Sequence, residues 1–209
     1  MISHVFLASR NRKKLAELRR ILTELIPEVE VLGLDDVAAY PEPVEDQETF
    51  AANALLKARA AHAETGLPSL ADDSGLCVAA LNGMPGVLSA RWSGLPKSDE
   101  RNNALLLDQM LDVPVTRRGA AFECALAFCY TDGVGETHEF TVSGEMRGTI
   151  TDHPVGEGGF GYDVIFVPSD QEGTLTSAQL SPGQKDEISH RGKALRAIAP
   201  IVAAALNQM

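Results

Sequence analysis

A chain of 209 residues, 44% hydrophobic and 22% charged, has the length and composition of one soluble globular domain with a sizeable core. Its 18 basic and 29 acidic residues give a net charge of −11, which argues against a surface that coats nucleic acid, since broad basic faces bind phosphate backbones. No apolar run approaches a membrane span, and three cysteines without paired metal spacing favour reduced thiols in a cytoplasmic protein.

Strand-like and helix-like patterns alternate along the first part of the chain. From Lys13, apolar residues recur at three- and four-residue steps, which predicts an amphipathic helix. Thr49 is a suitable N-cap for a second helix, and Gly66 is a suitable end for it. The predicted elements are a strand over 4–8, a helix over 13–25, a strand over 29–32, a helix over 50–64 and strands over 69–73 and 77–81.

The second part of the chain predicts a loop, a helix and a hairpin before the last helix. Residues 82–96 are rich in glycine and proline and predict a loop, and Ser98 opens a helix. An antiparallel hairpin is predicted over 120–130 and 136–142, a strand over 164–167, and a last helix that Ser189 caps and Pro200 kinks. Helices that alternate with strands, together with one hairpin, predict a mixed α/β sheet with flanking helices in a single domain.

A basic segment separates the first predicted strand from the first helix: Ser9, Arg10, Asn11, Arg12, Lys13 and Lys14. A helix N-terminus presents unpaired amide donors and the positive end of the helix dipole, and both suit a phosphate group. Hydroxyl, amide and ammonium groups at the spacing S-x-N-x-x-K would complete such a site. The same residues fit a capped helix with basic surface side chains, and the sequence favours neither interpretation.

Two adjacent carboxylates, Asp72 and Asp73, end a predicted strand and precede Ser74 and Gly75. One interpretation is an ordinary turn, because these residue types are common at strand ends. The other is a metal or general-base site. The acids of the loop over 42–48 are by default a solvated surface, and the alternative is that one of them joins Asp73 on a cation. Hard oxygen ligands of this kind suit Mg²⁺. Because neighbouring side chains on a strand point to opposite faces, the two aspartates need not share a role.

A glycine-rich loop over residues 156–161 contains the pattern G-x-G-x-x-G. A dinucleotide-binding site requires a helix after that pattern, whereas residues 162–167 are β-branched and aromatic and predict a strand. The loop instead brings Phe160, Tyr162 and Asp163 together, as a lid that stacks on a base would require. The alternative is a plain connection with a core aromatic residue.

Basic residues also gather where the last helix is predicted to start, namely Lys185, His190 and Arg191. Cations at a helix start oppose the helix dipole at a small cost. That cost is easier to understand if an anionic or oxygen-bearing ligand docks there.

Six motifs together resemble the inosine triphosphate pyrophosphatase family, which cleaves aberrant purine nucleoside triphosphates. They are S-R-N-R-K-K at 9–14, T-F-A-A-N-A-L-L-K-A at 49–58, A-D-D-S-G-L at 71–76, P-G-V-L-S-A-R at 85–91, G-G-F-G-Y-D at 158–163 and S-H-R-G-K-A-L at 189–195. Each is weak alone, but they occur in the family's order and span nearly the whole chain. The resemblance implies an elongated α/β fold of two lobes around a central nucleotide cleft, a Mg²⁺ cofactor, a homodimer and a cytoplasmic role.

The resemblance also implies a role for individual residues. Asp73 would accept a proton from the attacking water and would bind Mg²⁺ together with Glu45. Arg191 would lie at the base and sugar end. We further hypothesise that its guanidinium, or a backbone N–H beside it, donates to the purine 6-oxygen; the alternative is that Arg191 binds only phosphate or braces the last helix. The residues that would bind the substrate are Ser9, Arg10, Asn11, Arg12, Lys13, Lys14, Lys57, Ser74, Phe160, Gly161, Tyr162, Asp163, Lys185, His190 and Arg191.

Two positions depart from the pattern of that family. Ala52 stands where the family often has a glutamate, which removes a possible outer carboxylate beside the metal. Val164 stands where the family usually has a proline, a change that we expect to be benign.

The predicted reaction is the Mg²⁺-dependent hydrolysis of purine nucleoside triphosphates such as ITP, dITP and XTP at the α–β linkage, which gives the monophosphate and pyrophosphate. Two alternatives remain open at this point. One is a phosphatase that removes only the γ-phosphate, and the other is a nucleotide-sensing module that binds without turnover.

Overall fold

The structure is a computed structural model and describes residues 3–208. Helices and strands alternate along the chain, as the sequence predicts. The strands are β1 (Ser3–Leu7), β2 (Val29–Leu32), β3 (Ser69–Val78), β4 (Gly119–Thr131), β5 (Thr137–Ile150) and β6 (Phe166–Pro168). The helices are α1 (Arg12–Leu25), α2 (Phe50–Thr65), α3 (Asp99–Gln109), α4 (Pro182–Ile188) and α5 (His190–Leu206).

The six strands form one mixed sheet in the order β2-β1-β3-β4-β5-β6. Strand β1 pairs in parallel with both β2 and β3, whereas β5 and β6 are antiparallel. The predicted mixed α/β class with flanking helices is therefore confirmed. No helix within residues 3–208 has the length and apolar character that crossing a membrane requires.

The chain divides into two compact units. The first takes in the described residues up to Asp73, then Cys124–Gly144, and then the chain from Arg191 onward. The second comprises Ser74–Glu123 and Glu145–His190. Three of the boundaries fall inside strands β3, β4 and β5, and the fourth follows the first residue of α5. Asp72 and Asp73 therefore belong to the first unit and Ser74 to the second.

Two apolar clusters cover opposite faces of the strands in the first unit. Leu70 belongs to the cluster that packs with α1 and α5. Ala71 belongs to the cluster that packs with α2. This alternation follows from the two-residue period of a strand, and it continues into the acidic pair: Asp72 shares the face of Leu70, and Asp73 shares the face of Ala71.

The core of the second unit is built around aromatic and aliphatic side chains. Phe122 and Phe166 pack edge to face, with ring centroids 4.8 Å apart. Tyr162, at the end of the glycine-rich loop, is buried in the same cluster as Leu106 of α3. The loop therefore leads directly into the core of its unit.

Several predicted elements have different bounds in the structure. The strand predicted to stop at Asp73 continues through Ser74 and Gly75 to Val78, because the neighbouring strand β4 keeps these residues in the sheet. The interpretation of the acidic pair as a strand-end turn is therefore wrong. Strand β5 extends to Ile150, eight residues beyond the predicted end at Val142. Residues 163–165 form a 3₁₀ turn, so β6 starts only at Phe166.

The C-terminal region contains a helix that the sequence analysis did not predict. Ser181 caps α4 and accepts a hydrogen bond from the Gln184 backbone N–H, with Pro182 at the first helical position. Ser181 and Gln184 form a capping box, a sequence pattern from which α4 could have been predicted. Ser189 therefore ends α4, and α5 begins at His190 and continues through Pro200.

Candidate active site

The basic segment over residues 9–14 spans the start of α1, and several of its side chains are engaged with the protein itself. Asn11 is the N-cap, and its side-chain oxygen accepts the N–H groups of Lys13 and Lys14 at 3.1 and 3.2 Å. Arg10 lies 2.8 Å from the Glu42 carboxylate. Ser9 is half-buried, and Arg12 is exposed. The capped-helix interpretation is thus borne out geometrically, while phosphate binding by this segment stays a prediction.

Lys14 points towards the buried Asp72. Its Nζ lies 2.9 Å from Asp72 Oδ2, and the Asp72 side chain is 1% exposed. Burial by itself raises the pKa of this carboxyl, but the charges of Lys14, Lys57 and Arg191 outweigh it and hold the pKa far below its usual range. Asp72 is therefore ionised at neutral pH and neutralises cations of the first unit.

Asp73 lies in a different environment on the opposite face of β3. The Asn53 amide of α2 donates to its carboxylate at 2.9 Å. Burial raises the pKa of Asp73 above its usual value, although Lys57, Lys14 and the Asn53 hydrogen bond act in the other direction. The two neighbouring aspartates thus have opposite pKa shifts, an arrangement that commonly separates a structural acid from a base.

Lys57 connects the acidic loop to β3. Its ammonium donates to Glu45 and to the backbone carbonyl of Asp72. Burial opposes the ionisation of Glu45, but the Lys57 charge is decisive and lowers the pKa of this carboxyl. This contact brings Glu45 to the residues around Asp73.

Asn53 was not assigned a role from the sequence, although it lies in the T-F-A-A-N motif. Asn53 is buried on α2 and lies four residues before Lys57, so the two side chains are on the same face of the helix. Its side-chain nitrogen donates to Asp73, and its side-chain oxygen accepts the Gln47 backbone N–H at 3.0 Å. Asn53 therefore ties the acidic loop to the carboxylate of Asp73. Four-residue spacing of polar residues on an otherwise alanine-rich helix was the signal that could have identified it.

Arg191 is buried with carboxylates rather than presented on a surface. Its guanidinium donates to Glu17 of α1, and its Nε lies 3.8 Å from Asp72 Oδ2. This geometry suits a residue that braces α5 against α1 and β3. A hydrogen bond from Arg191 to the purine 6-oxygen stays a prediction. We call the ionisable residues of this region the Asp72 cluster: Lys14, Glu17, Glu45, Lys57, Asp72, Asp73 and Arg191.

The chemistry of the Asp72 cluster fits a divalent cation. Lys57 donates both to Glu45 and to the backbone carbonyl of Asp72, so the Glu45 carboxylate lies near Asp73, and like charges in that arrangement repel each other. A hard cation relieves such repulsion, and Mg²⁺ is usually held by one or two protein carboxylates plus substrate phosphates. Glu45 and Asp73 are the residues that could hold such a cation, and their binding of Mg²⁺ stays a prediction.

A second group of potential metal ligands lies at the turn between β4 and β5, namely Asp132, Glu136 and His138. Asp132 already accepts the backbone N–H groups of Val134 and Glu136 at 3.0 and 2.9 Å. His138 Nε2 lies 2.8 Å from the other oxygen of Asp132. These contacts give the group a structural role in closing the turn.

The second unit contains the remaining predicted residues of the base and sugar end. Asp163 accepts the Phe160 backbone N–H at 2.9 Å and the Lys185 ammonium at 2.7 Å. The same ammonium lies 5.1 Å from the centroid of the Phe160 ring, within the range of a cation–π contact. Phe160, Asp163 and Lys185 therefore form one connected group. Lys185 belongs to α4, however, and not to the start of the last helix as predicted.

His190, Tyr162 and Ser74 are also parts of the second unit. His190 is buried and stacks on Phe122 with ring centroids 5.0 Å apart. The Tyr162 hydroxyl donates to the Ser89 carbonyl at 2.9 Å. Ser74 is half-buried on β3. Tyr162 and His190 thus support the core of this unit, and substrate contacts by these three residues stay predictions.

Comparison with known proteins decides the family. Residues 5–201 match the sequence model of the Ham1 family. The chain belongs to the Ham1 family. This confirms the resemblance inferred from the six motifs. The matched segment covers almost the whole chain and includes every residue of the Asp72 cluster.

Curated relatives and solved structures agree with the Ham1 assignment. A dITP/XTP pyrophosphatase of Nocardia farcinica is 56% identical over 204 residues, which cover 97% of this chain and 96% of that protein. One of Cutibacterium acnes is 55% identical and covered over 99% of both chains. A HAM1 protein from Coxiella burnetii matches with a TM-score of 0.82 at 36% identity, over 97% of this chain and 100% of its own. A nucleoside-triphosphatase / dITP/XTP pyrophosphatase from Mycobacterium abscessus matches with a TM-score of 0.73 at 51% identity, over 94% and 99%.

Proposed function

We propose that this Ham1-family chain is a hydrolase that converts non-standard purine nucleoside triphosphates, such as ITP, dITP and XTP, to the monophosphate and pyrophosphate. The observation that carries the proposal is the Asp72 cluster, in which lysines and a carboxyl group with a raised pKa lie together. Relatives more than half identical over nearly their whole length are named dITP/XTP pyrophosphatases, which supports the same substrate class.

Four residues of the cluster, together with the neighbouring Asn53, have separate chemical tasks. Lys14 and Lys57 supply positive charge for the phosphates. Asp73 accepts a proton from the attacking water, and its raised pKa makes it a stronger base than an ordinary aspartate. Asn53 keeps that carboxylate oriented through its 2.9 Å hydrogen bond. Mg²⁺, bound by Glu45 and Asp73, would neutralise charge that develops on the phosphates.

The base and sugar would be received by residues of the glycine-rich loop and its partners. Phe160 offers an aromatic face for stacking on a purine. Lys185, which Asp163 holds at 2.7 Å, offers donors for an oxygen on the base or the sugar.

Product analysis with inosine triphosphate and Mg²⁺ tests the proposal. Monophosphate and pyrophosphate are the expected products, and they identify cleavage at the α–β linkage. Diphosphate and orthophosphate would instead identify a γ-phosphatase. Binding without any product would mean that the chain is a nucleotide-sensing module. The same incubation with chelator in place of Mg²⁺ is expected to give no product.

We further propose that the chain acts as a homodimer in the cytoplasm and binds neither nucleic acid nor membranes. All three cysteines are free thiols, which suits a reducing compartment. The net charge of −11 opposes nucleic-acid binding. Sedimentation analysis of the purified chain is expected to give twice the mass of the monomer.

A further inference from the structure

Helix α3 holds the peptide groups around Gly161 from both sides. The Asp99 carboxylate accepts the Gly161 backbone N–H at 2.7 Å. The Asn103 amide donates to the Gly161 carbonyl at 2.8 Å. Two side chains of one helix thus satisfy both backbone polar groups of a single loop residue.

The local structure of α3 makes this contact specific. Asp99 and Asn103 are four residues apart, so they lie on the same face of the helix. Asp99 is the first helical residue, where the helix dipole stabilises a carboxylate. The Asn103 amide also donates to the Asp99 carbonyl at 2.8 Å. Because both of its partners are carbonyl oxygens, only the nitrogen of the amide can face them.

The loop at this point has a conformation that depends on such support. Gly159 and Gly161 have φ values of +72° and +62°, in the left-handed region. A Cβ on Gly159 would lie 2.2 Å from Asp163 Oδ2, so the backbone approaches that carboxylate closely. Tyr162 is anchored in the core by its hydrogen bond to Ser89, whereas Phe160 is only half-buried. The Gly161 peptide therefore determines how Phe160 is directed relative to the fixed Tyr162.

We propose that Asp99 and Asn103 are positioning residues for recognition of the nucleobase. They fix the Gly161 peptide, and through it the placement of the Phe160 ring. The inference rests on the proposed function, in which this loop receives the base. Neither residue needs to touch the substrate to act in this way.

The first test uses Asp99, because this residue is exposed and we expect its substitution to leave the fold intact. Steady-state hydrolysis of inosine triphosphate is compared for the wild type, Asp99→Ala, Asp99→Asn and Glu100→Ala. Glu100→Ala is the matched control, because it removes the neighbouring charge of the same helical turn, which bonds to Ser98 and not to the loop. Asp99→Ala is expected to raise KM roughly tenfold, because it removes one charge-assisted hydrogen bond. The value of kcat is expected to stay nearly unchanged. Asp99→Asn, which keeps an oxygen acceptor, is expected to recover most of this loss.

A probe without a base distinguishes a role in positioning the base from a general effect on ligand binding. Inorganic tripolyphosphate is used as an inhibitor of inosine triphosphate hydrolysis, and its inhibition constant is expected to be the same for Asp99→Ala and the wild type. An unchanged KM in Asp99→Ala would overturn the inference. An equal loss of affinity for tripolyphosphate and inosine triphosphate would overturn it as well.

Asn103 gives a second, independent variant. Asn103→Ala is compared with Asn102→Ala, which removes a buried asparagine of the same helix whose side chain bonds to Ser93, Ser89 and Ala90 and not to Gly161. Both variants are expected to be less stable, but only Asn103→Ala is expected to raise KM by more than about fivefold. Equal KM changes in the two would overturn the role of Asn103. A wild type without hydrolytic activity would refute the proposed function itself, an outcome distinct from any difference among variants.

Discussion

Replacing Asp72 with asparagine removes a buried charge from among three cations while it preserves the shape of the side chain. Lys14 lies 2.9 Å away and Arg191 Nε lies 3.8 Å away, and Lys57 also acts on this carboxylate. Loss of one partner of a buried ion pair typically costs about 3–5 kcal/mol. We expect the lower end, about 3 kcal/mol, because Arg191 keeps Glu17 and Lys57 keeps Glu45. For a chain of this size that corresponds to a decrease in Tm of roughly 6–12 °C.

The pH dependence of this loss follows from the sign of the pKa shift. The pKa of Asp72 is held below its ordinary value of 3.8 in the folded state, so the charge stabilises the fold above that pH. As the pH falls from about 4 towards the pKa of the folded state, this contribution disappears. The free energy of unfolding of Asp72→Asn should therefore differ from that of the wild type by its full amount at pH 7 and by progressively less below about pH 4.

Urea unfolding of wild type, Asp72→Asn and Asp73→Asn over this pH range provides the measurement. Asp73→Asn is the matched control, because burial raises the pKa of Asp73 and its charge therefore disfavours the fold at neutral pH. We expect its stability at pH 7 to equal or exceed that of the wild type. An Asp72→Asn protein as stable as the wild type at pH 7, or a deficit that stays constant down to pH 3, would refute the reasoning.

The remaining predictions concern activity and reactivity. Asp73→Asn should lower kcat by about two or more orders of magnitude, because it removes the proposed base; near-full activity together with an inactive Asp72→Asn would mean that the two roles are reversed. Lys14→Ala should raise KM for inosine triphosphate and ATP by the same factor, since a phosphate contact carries no information about the base. Arg191→Ala should lower kcat/KM for inosine triphosphate much more than for ATP, because only the former base offers the 6-oxygen that Arg191 is proposed to bind. An equal decrease for both substrates would mean that Arg191 only braces α5. Burial raises the pKa of Cys77 to about 12, so a thiol reagent at pH 8 should label the folded chain far more slowly than the urea-unfolded chain.

Local patterns in the sequence predict most of the secondary structure because the responsible interactions are local. Helix α2 starts after Thr49, whose hydroxyl accepts the Ala52 backbone N–H at 3.2 Å, and it ends at Gly66 in the left-handed conformation. Such caps are formed by residues a few positions apart, so the sequence shows both partners. The continuation of β3 through Ser74 and Gly75 depends instead on pairing with β4, and residue type at the two positions gave the opposite indication.

The candidate site shows the same division between local and distant causes. Alternation along a strand predicted that Asp72 and Asp73 face different ways, and in the structure Asp72 meets Lys14 of α1 whereas Asp73 meets Asn53 of α2. Which partners each face provides was not predictable, because it depends on how helices pack. Arg191 donates to Glu17, which is 174 residues away along the chain. The sequence motif identified Arg191 as important, but only the packing of α5 shows that its charge is neutralised inside the protein.

The balance of charge in the Asp72 cluster makes the requirement for a metal ion a physical prediction. Its members include three cations and four carboxylates, so the cluster has a net charge of about −1 when all are ionised, and a triphosphate would be repelled. One divalent cation at Glu45 and Asp73 reverses the sign to about +1 and makes the site attractive to polyphosphates. Calorimetric titration with a non-hydrolysable inosine triphosphate analogue should therefore show binding with Mg²⁺ and a loss of affinity of at least about tenfold with chelator. Glu45→Gln removes one carboxylate charge and should make that loss smaller, while it raises the Mg²⁺ concentration needed for half-maximal activity. Equal affinity with and without Mg²⁺ in the wild type would contradict this account of the site.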